Sequence, residues 1–337
     1  MSDTSPVVGV LGAGAWGTAL AIHLARIHTD VCLWARNPAH LAQITAEHEN
    51  RRYLSGIHIP PNIRAIAALE TLIKDAHYII VATPSASMRT IMQAINTHHS
   101  DALRGVIWAS KGLELETGKF LHQVAAEECP ATIKHAILSG PSFAHEVGMG
   151  LPTAVTVASE STEFAQQAAQ LFHHTVFRTY ISADVTAVEI GGTFKNILAI
   201  AAGIVDGLEL GANARAALIT RGIAEMMRFG REMKVDTDTL IGLSGVGDIV
   251  LTCTENLSRN RRFGLGLGSG KSIAQVEADI GQVIEGKYAA RVIHELALKH
   301  NLELPISAQV YAVLYAAKPA RVAVEELLSR SLKHEVH

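Results

Sequence analysis

Directly after the apolar run Val7 to Leu11 the chain reads Gly12-Ala13-Gly14-Ala15-Trp16-Gly17, then enters an Ala- and Leu-rich stretch of helical pattern. A G-x-G-x-x-G alone constrains little. Between a strand and a helix at the head of a chain it constrains a great deal. In this spacing Gly12 permits a tight turn, Gly14 lets the backbone approach a pyrophosphate, and Gly17 lets the helix pack closely on the strand. The helix N-terminus then offers free N–H groups and a partial positive charge to phosphates. The expectation is a dinucleotide on this turn, where Trp16 either belongs to the ordinary core or lines the site. The bland alternative is a tight turn without a ligand.

The rest of the first half alternates in the same way. Val31 to Trp34, Tyr78 to Ala82, Val106 to Ala109, Ala136 to Leu138 and Ala154 to Ala158 read as strands. Ala19 to Ile27, Ala86 to Ile95 and Phe120 to Glu127 read as helices between them. Such alternation predicts βαβ units and a parallel sheet with helices on both faces. After about Ser182 strand patterns nearly vanish. Val185 to Ala202, Ala214 to Arg231, Ser272 to Ala278, Ala289 to His300 and Ser307 to Ala316 all look helical. The length of 337 residues, 48% of them hydrophobic, is enough for two cores. The fold class read here is α/β: a doubly wound Rossmann sheet over residues 1–185, then an all-α domain over residues 186–337.

A net charge of −3 gives no electrostatic case for a nucleic-acid or membrane-surface partner. The longest apolar stretch, Ile197 to Val205, is about half of what a bilayer span needs. The N-terminus lacks a basic region before its first apolar run, so no signal peptide is expected. Cys32, Cys129 and Cys253 are odd in number and far apart, and the histidines lack ligand spacing. No disulfide framework and no metal site are expected, and a reducing, cytoplasmic setting suits the cysteines.

At the end of the second strand, where an NAD enzyme commonly places an acidic residue for the ribose 2′-hydroxyl, this chain has Arg36. A carboxylate would repel a 2′-phosphate, whereas a guanidinium can clamp it. The expectation is therefore NADPH as the preferred cofactor, with NADH possible. A solvated surface arginine is the alternative.

Three more strand ends carry small or cationic groups where open α/β sheets bind ligands: Thr83-Pro84-Ser85, Ser110-Lys111-Gly112 and Ser139-Gly140-Pro141-Ser142-Phe143-Ala144. Lys111 can reach a nicotinamide or an anionic substrate. The segment Glu189-Ile190-Gly191-Gly192-Thr193-Phe194-Lys195-Asn196 puts two glycines inside a helical pattern, at ~1 kcal/mol each against alanine. That implies close approach by another backbone or a ligand. Lys195 sits among apolar residues, where an ammonium is costly unless paired or used in proton transfer. The glycine-rich Gly242 to Gly247 turn follows no strand and presents Asp248, placed to fix a catalytic lysine or a hydroxyl. Ser258-Arg259-Asn260 combines a bidentate cation with neutral donors, as a phosphate requires, although Arg259-x-Arg261-Arg262 also reads as a solvated basic face.

These motifs together resemble bacterial NAD(P)-dependent glycerol-3-phosphate dehydrogenase. The carrying residues are Gly12 to Thr18, Arg51-Arg52-Tyr53-Leu54, Ala82 to Ser85, Ser110 to Glu114, Leu138 to Ala144, Gly191 to Asn196, Asn213 to Gly222, Gly245 to Asp248 and Ser258 to Asn260. The resemblance runs from about residue 7 to about residue 320. It implies a homodimer that interconverts dihydroxyacetone phosphate and sn-glycerol 3-phosphate for phospholipid synthesis. It implies Lys195 as the catalytic proton donor or acceptor, with Lys111, Gly140, Ser142, Asp248, Ser258, Arg259 and Asn260 around the substrate. It implies Ala15, Trp16, Arg36, Tyr53, Lys111, Ala144, Arg259, Val283 and Glu285 along the cofactor. Two other uses remain open: reduction of a different keto acid whose carboxylate Arg259 holds, and dinucleotide sensing without turnover.

Overall fold

A computed structural model describes residues 6–331. Its strands are β1 (Val8–Leu11), β2 (Val31–Trp34), β3 (Glu49–Asn50), β4 (Leu54–His58), β5 (Ile63–Ala65), β6 (Tyr78–Val81), β7 (Gly105–Trp108), β8 (His135–Ser139), β9 (Thr153–Ala158) and β10 (Phe177–Ser182). Eight of them form one sheet in the order β10-β9-β8-β7-β6-β1-β2-β5, and β3 and β4 pair separately. The chain runs outward from β1 to β2 and β5, then returns to β6 on the other side of β1. That reversal opens the crevice in which doubly wound sheets bind ligands, beside the carboxyl ends of β1 and β6.

The sheet departs from the all-parallel expectation at one pairing. β8 and β9 are antiparallel, because the chain turns back through the six-residue Ala144–Met149 helix between them. β10, parallel to β9, was not legible as a strand: it is an edge strand with Tyr180 and Ile181 exposed, so its apolar residues do not mark a buried face. The short β5 and the β3–β4 pair escaped for a similar reason, since neither has enough apolar residues to show a period.

Alternation along the strands separates two cores. Val8, Val10, Ile80, Ile107 and Leu138 pack with Leu20 and Leu24 of the Ala15–Ala25 helix and Phe164 of the Thr162–Phe172 helix. Ile79, Val81, Val106, Trp108 and Ile137 pack on the other face with Ile91 and Ile95 of the Met88–His98 helix and Leu121 and Val124 of the Leu121–Glu128 helix.

β10 ends at Ser182 and the long Val185–Gly207 helix begins three residues later, opening a region of helices. This helix is apolar and long enough to cross a membrane, but 94% of its most apolar window is buried inside the fold, where it serves as the axis of the second core. Gly203 and Gly207 on it meet Gly264 and Gly268 on the Arg259–Gly268 helix, backbone against backbone. A methyl built on Gly264 would sit 2.0 Å from the Ile200 carbonyl oxygen, and one on Gly203 would sit 2.1 Å from that of Arg261. This seam sets the distance between the helix that carries Lys195 and the helix that begins at Arg259. Leu113 and Phe120, from the loop after β7, belong to the helical core, so that loop is stitched to the second domain.

Replacing Gly264 with alanine forces the two helices apart. Overpacking of this kind typically costs about 1–3 kcal/mol, and denaturant unfolding of Gly264→Ala should show a loss of that size or larger. A variant as stable as the wild type would mean that the seam is loose.

Candidate active site

Each glycine of the first turn has a distinct geometry. Gly12 adopts a φ of 116°, in the left-handed region, and a methyl there would lie 2.8 Å from the Ala82 carbonyl oxygen. Gly17 faces the Gly12 carbonyl oxygen at 1.8 Å from its ideal Cβ position, so only glycine fits. Gly14 has nothing within 4 Å of its Cβ position. It is the N-cap of the Ala15–Ala25 helix and supplies no side-chain cap, which leaves first-turn N–H groups for a ligand. The buried Trp16 Nε1 has no hydrogen-bond partner and sits on the same turn. An open glycine face, free helix N–H groups and an orphaned donor fit a dinucleotide pyrophosphate.

The turn is braced from a place that sequence reasoning did not single out. Asn50 Nδ2 donates to Ala13 O at 2.9 Å and to Thr18 Oγ1 at 2.8 Å. Next to it, Tyr53 stacks edge-on against His40 at 5.2 Å, and the Arg52 guanidinium lies 5.1 Å from the Tyr53 ring. Arg36 is exposed two residues beyond β2, just before Asn37, which caps the Pro38–Glu47 helix.

The second cluster joins the domains. Lys111, beyond the end of β7, donates from Nζ to Asp248 Oδ2 at 2.6 Å and to Gly140 O at 3.1 Å, at the end of β8. Lys195 Nζ donates to Asp248 Oδ1 at 2.9 Å. Thr252, one turn after Asp248, donates to the same Oδ1 at 3.1 Å and lies 3.4 Å from Lys195 Nζ. Ser142 Oγ donates to Gly140 O at 2.9 Å. Asp248 is fully buried, while both lysines keep 13% of their side-chain surface open. Burial opposes charge on Asp248, yet Lys111 and Lys195 hold its carboxyl below the usual range. Burial pushes the Lys111 ammonium down to about 8, against the attraction of Asp248.

Of the two inner glycines, Gly191 makes this convergence possible, while Gly192 faces the Lys111 side chain at ordinary contact distance. A methyl on Gly191 would meet Ser244 O at 2.4 Å, so the Lys195 helix packs directly on the backbone of the turn before Asp248. That turn, expected as a loop, is a π-helical segment, Leu243–Gly247, feeding the Asp248–Thr254 helix. The Ser-Arg-Asn segment is likewise a helix start: Ser258 caps the Arg259–Gly268 helix by accepting from Arg261 N. Asn260 Nδ2 donates to Asn196 Oδ1 at 2.8 Å, and its Oδ1 accepts from Gly286 N at 3.0 Å. Arg259 stands exposed and reaches Gln282 Oε1 at 2.9 Å. Glu285 accepts from Ser85 Oγ at 3.0 Å across the domain boundary. Burial raises its carboxyl above the ordinary range, against Ser85 and Arg259. Val283 is 43% exposed beside it. Ala144 is half-buried at the start of its helix.

Asn50, Thr252, Asn196, Gln282 and Ser85 are the additions to the expected set. Asn196 and Thr252 could have been found at one helical turn or less from Lys195 and Asp248, and Ser85 lies in the Thr83-Pro84-Ser85 strand end already marked; Asn50 and Gln282 show no sequence signal. Among the described residues no group of three His, Cys, Asp or Glu side chains could hold a metal ion.

A doubly wound sheet with an open glycine turn, facing lysines that a separate helical domain locks onto one carboxylate, defines a nicotinamide-dependent oxidoreductase. The family model described as NAD-dependent glycerol-3-phosphate dehydrogenase N-terminus matches residues 7–165, and its C-terminus counterpart matches residues 184–325. The chain belongs to the NAD-dependent glycerol-3-phosphate dehydrogenase family. It is 49% identical to glycerol-3-phosphate dehydrogenase [NAD(P)+] of Thioalkalivibrio sulfidiphilus over 98% of this chain and 99% of that one. It is 46% identical to the enzyme of the same name from Halorhodospira halophila, over 97% and 98%. The crystal structure of glycerol-3-phosphate dehydrogenase from Coxiella burnetii superposes with a TM-score of 0.93 at 42% identity, covering 97% of this chain and all of that one.

A direct test of the cluster's electrostatics is lysine ε-carbon NMR of the free protein, with Lys111→Arg to assign the signal. Lys111 should titrate near 8. Asp248→Asn removes the attraction that keeps it protonated, so the midpoint should move down. A midpoint that Asp248→Asn leaves in place would show that Asp248 does not hold Lys111.

Proposed function

We propose that this chain reduces dihydroxyacetone phosphate to sn-glycerol 3-phosphate with NADPH in preference to NADH. In this reading it works as a cytoplasmic homodimer, and its product supplies the glycerol phosphate backbone of phospholipids. The observation that carries the reading is the meeting of Lys111 and Lys195, from different domains, on the buried Asp248 beside the carboxyl ends of β7 and β8.

Bound reduced nicotinamide supplies the hydride. The Gly12, Gly14 and Gly17 turn, with Ala15 and Trp16, holds the pyrophosphate. Arg36 takes the 2′-phosphate, and Tyr53, Lys111, Ala144, Arg259, Val283 and Glu285 line the remainder. Arg259 with Ser258 and Asn260 seats the substrate phosphate, while Gly140 and Ser142 flank the triose. This seating turns a bimolecular encounter into an oriented one. As negative charge grows on the C2 oxygen, the Lys195 ammonium stabilises it and delivers its proton. Lys111 adds positive field, and Asp248 keeps both lysines aimed.

The deciding experiment is loss of NADPH absorbance with dihydroxyacetone phosphate, run beside a panel of 2-keto acids. Turnover of a keto acid in preference to the triose phosphate would overturn the substrate, and binding without turnover would overturn the enzyme. Lys195→Met should lower kcat by about 10²–10⁴-fold with NADPH binding nearly intact, and normal turnover would remove Lys195 from the chemistry. Arg36→Glu should raise KM for NADPH by about 10–100-fold, the worth of a charged hydrogen bond, and much less for NADH. Equal effects on both cofactors would exclude a 2′-phosphate contact.

A further inference from the structure

Glu189 is a buried carboxylate that none of the chemistry above uses. It is 2% exposed, on the helix of Lys195. Glu189, Gly192 and Asn196 follow one another at spacings of three and four residues, so they share a face of that helix. A carboxylate in such a place is costly unless its oxygens are bonded. They are: Oε1 accepts from the His122 backbone N–H at 3.1 Å, and Oε2 from His122 Nδ1 at 2.5 Å. His122 is the second residue of the Leu121–Glu128 helix, where its N–H has no partner within the helix and where negative charge is favoured. The buried Trp108 Nε1 lies beside the same carboxylate, outside hydrogen-bond geometry.

Trp108 is the last residue of β7 and His122 follows the loop that carries Lys111. One carboxylate on the Lys195 helix thus faces both ends of the Lys111 loop. The loop is itself stiff: Leu113 bridges Phe120, Glu114 N donates to Lys119 O at 2.9 Å, and Glu114 pairs with Arg89 at 2.8 Å. A stiff loop held at its ends moves as a unit. One turn along from Glu189, the Gly192 Cβ position lies 3.5 Å from Lys111 Cβ and Cγ. Any slide of the helix against the loop is felt there first.

We propose that Glu189, through His122, is a positioning residue that seats the Lys111 loop against the Lys195 helix and so keeps both ammonium groups on Asp248. The groups facing the pair are few. From the sheet comes Trp108, from the loop the Phe120 ring stacked on His122 at 5.7 Å, and farther out the charges of Glu160 and Asp184. Burial opposes charge on His122, but Glu189 outweighs it and raises the imidazole above its ordinary value. Burial raises Glu189 in turn, against His122.

The inference rests on the proposed reduction of dihydroxyacetone phosphate, but one of its readouts does not. Glu189→Gln and His122→Ala would be made in the full chain and assayed well below the Tm of each. Displacement of the Lys111 loop should lower kcat for dihydroxyacetone phosphate by about 10–100-fold and change the NADPH Kd by less than about twofold. In the same variants the Lys111 NMR titration should leave its position near 8, because its distance to Asp248 has changed. Folded variants with wild-type kcat and an unmoved Lys111 titration would overturn the proposal and leave Glu189 as a structural acid only. Should Glu189→Gln fail to fold, His122→Ala decides by the same two measurements. A wild type without turnover would sink the proposed function, whereas the Lys111 titration would still decide this inference.

Discussion

The arrangement depends on one carboxylate with two partners. Asp248 lies out of water between Lys111 from the sheet domain and Lys195 from the helical domain. Desolvating three charges is expensive, and a buried pair stripped of one member is worse than no pair at all. Evenly matched charges would settle into a neutral and inert bridge. Two ammonium groups on one carboxylate instead leave an excess positive charge beside the ends of β7 and β8, the sign that a phosphate ester or a developing alkoxide requires. The same contact ties the domains together, so electrostatics and interdomain geometry are one constraint here.

Backbone contacts hold that constraint in place. The Lys195 helix approaches the turn before Asp248 at Gly191, and the Arg259–Gly268 helix at Gly203 and Gly207. At these points no side chain can compress to absorb a shift. Packed backbones resist sliding far more than long side chains do, which suits a site built on two long lysine side chains. Glu189 adds a polar anchor on the same helix, turned toward the Lys111 loop. Asn196, Asn260 and Gly286 extend the network to the segment that carries Glu285.

Much of this was legible because some residues have a single physical use in their context. Gly12, Gly14 and Gly17 after an apolar run leave few alternatives, and the geometry of each one differs as its proposed role requires. Gly191 and Gly192 inside a helix marked a close approach, and Gly191 meets the Ser244 backbone. The failures have physical causes too. The Leu243–Gly247 segment was expected as a turn and the Arg259–Gly268 helix was not anticipated, because glycine, serine and asparagine are poor helix formers in isolation. There they serve as a close-packing seam and as a cap. β10 hid because edge strands need not bury either face, and the antiparallel β8–β9 pairing has no local signature.

What the sequence determined by itself was the local chemistry: a glycine turn of dinucleotide-binding pattern, a sheet followed by helices, and an inventory of cations placed at strand ends and inside a helix. What only the tertiary structure decided was who meets whom. Lys111 and Asp248 are 137 residues apart, and Glu189 and His122 are 67. Pairings over such separations follow from how two cores close against each other, and no local preference encodes that closure. The identity of a lysine could be read from its neighbours in the chain, but its charge state and its aim depend on neighbours in space.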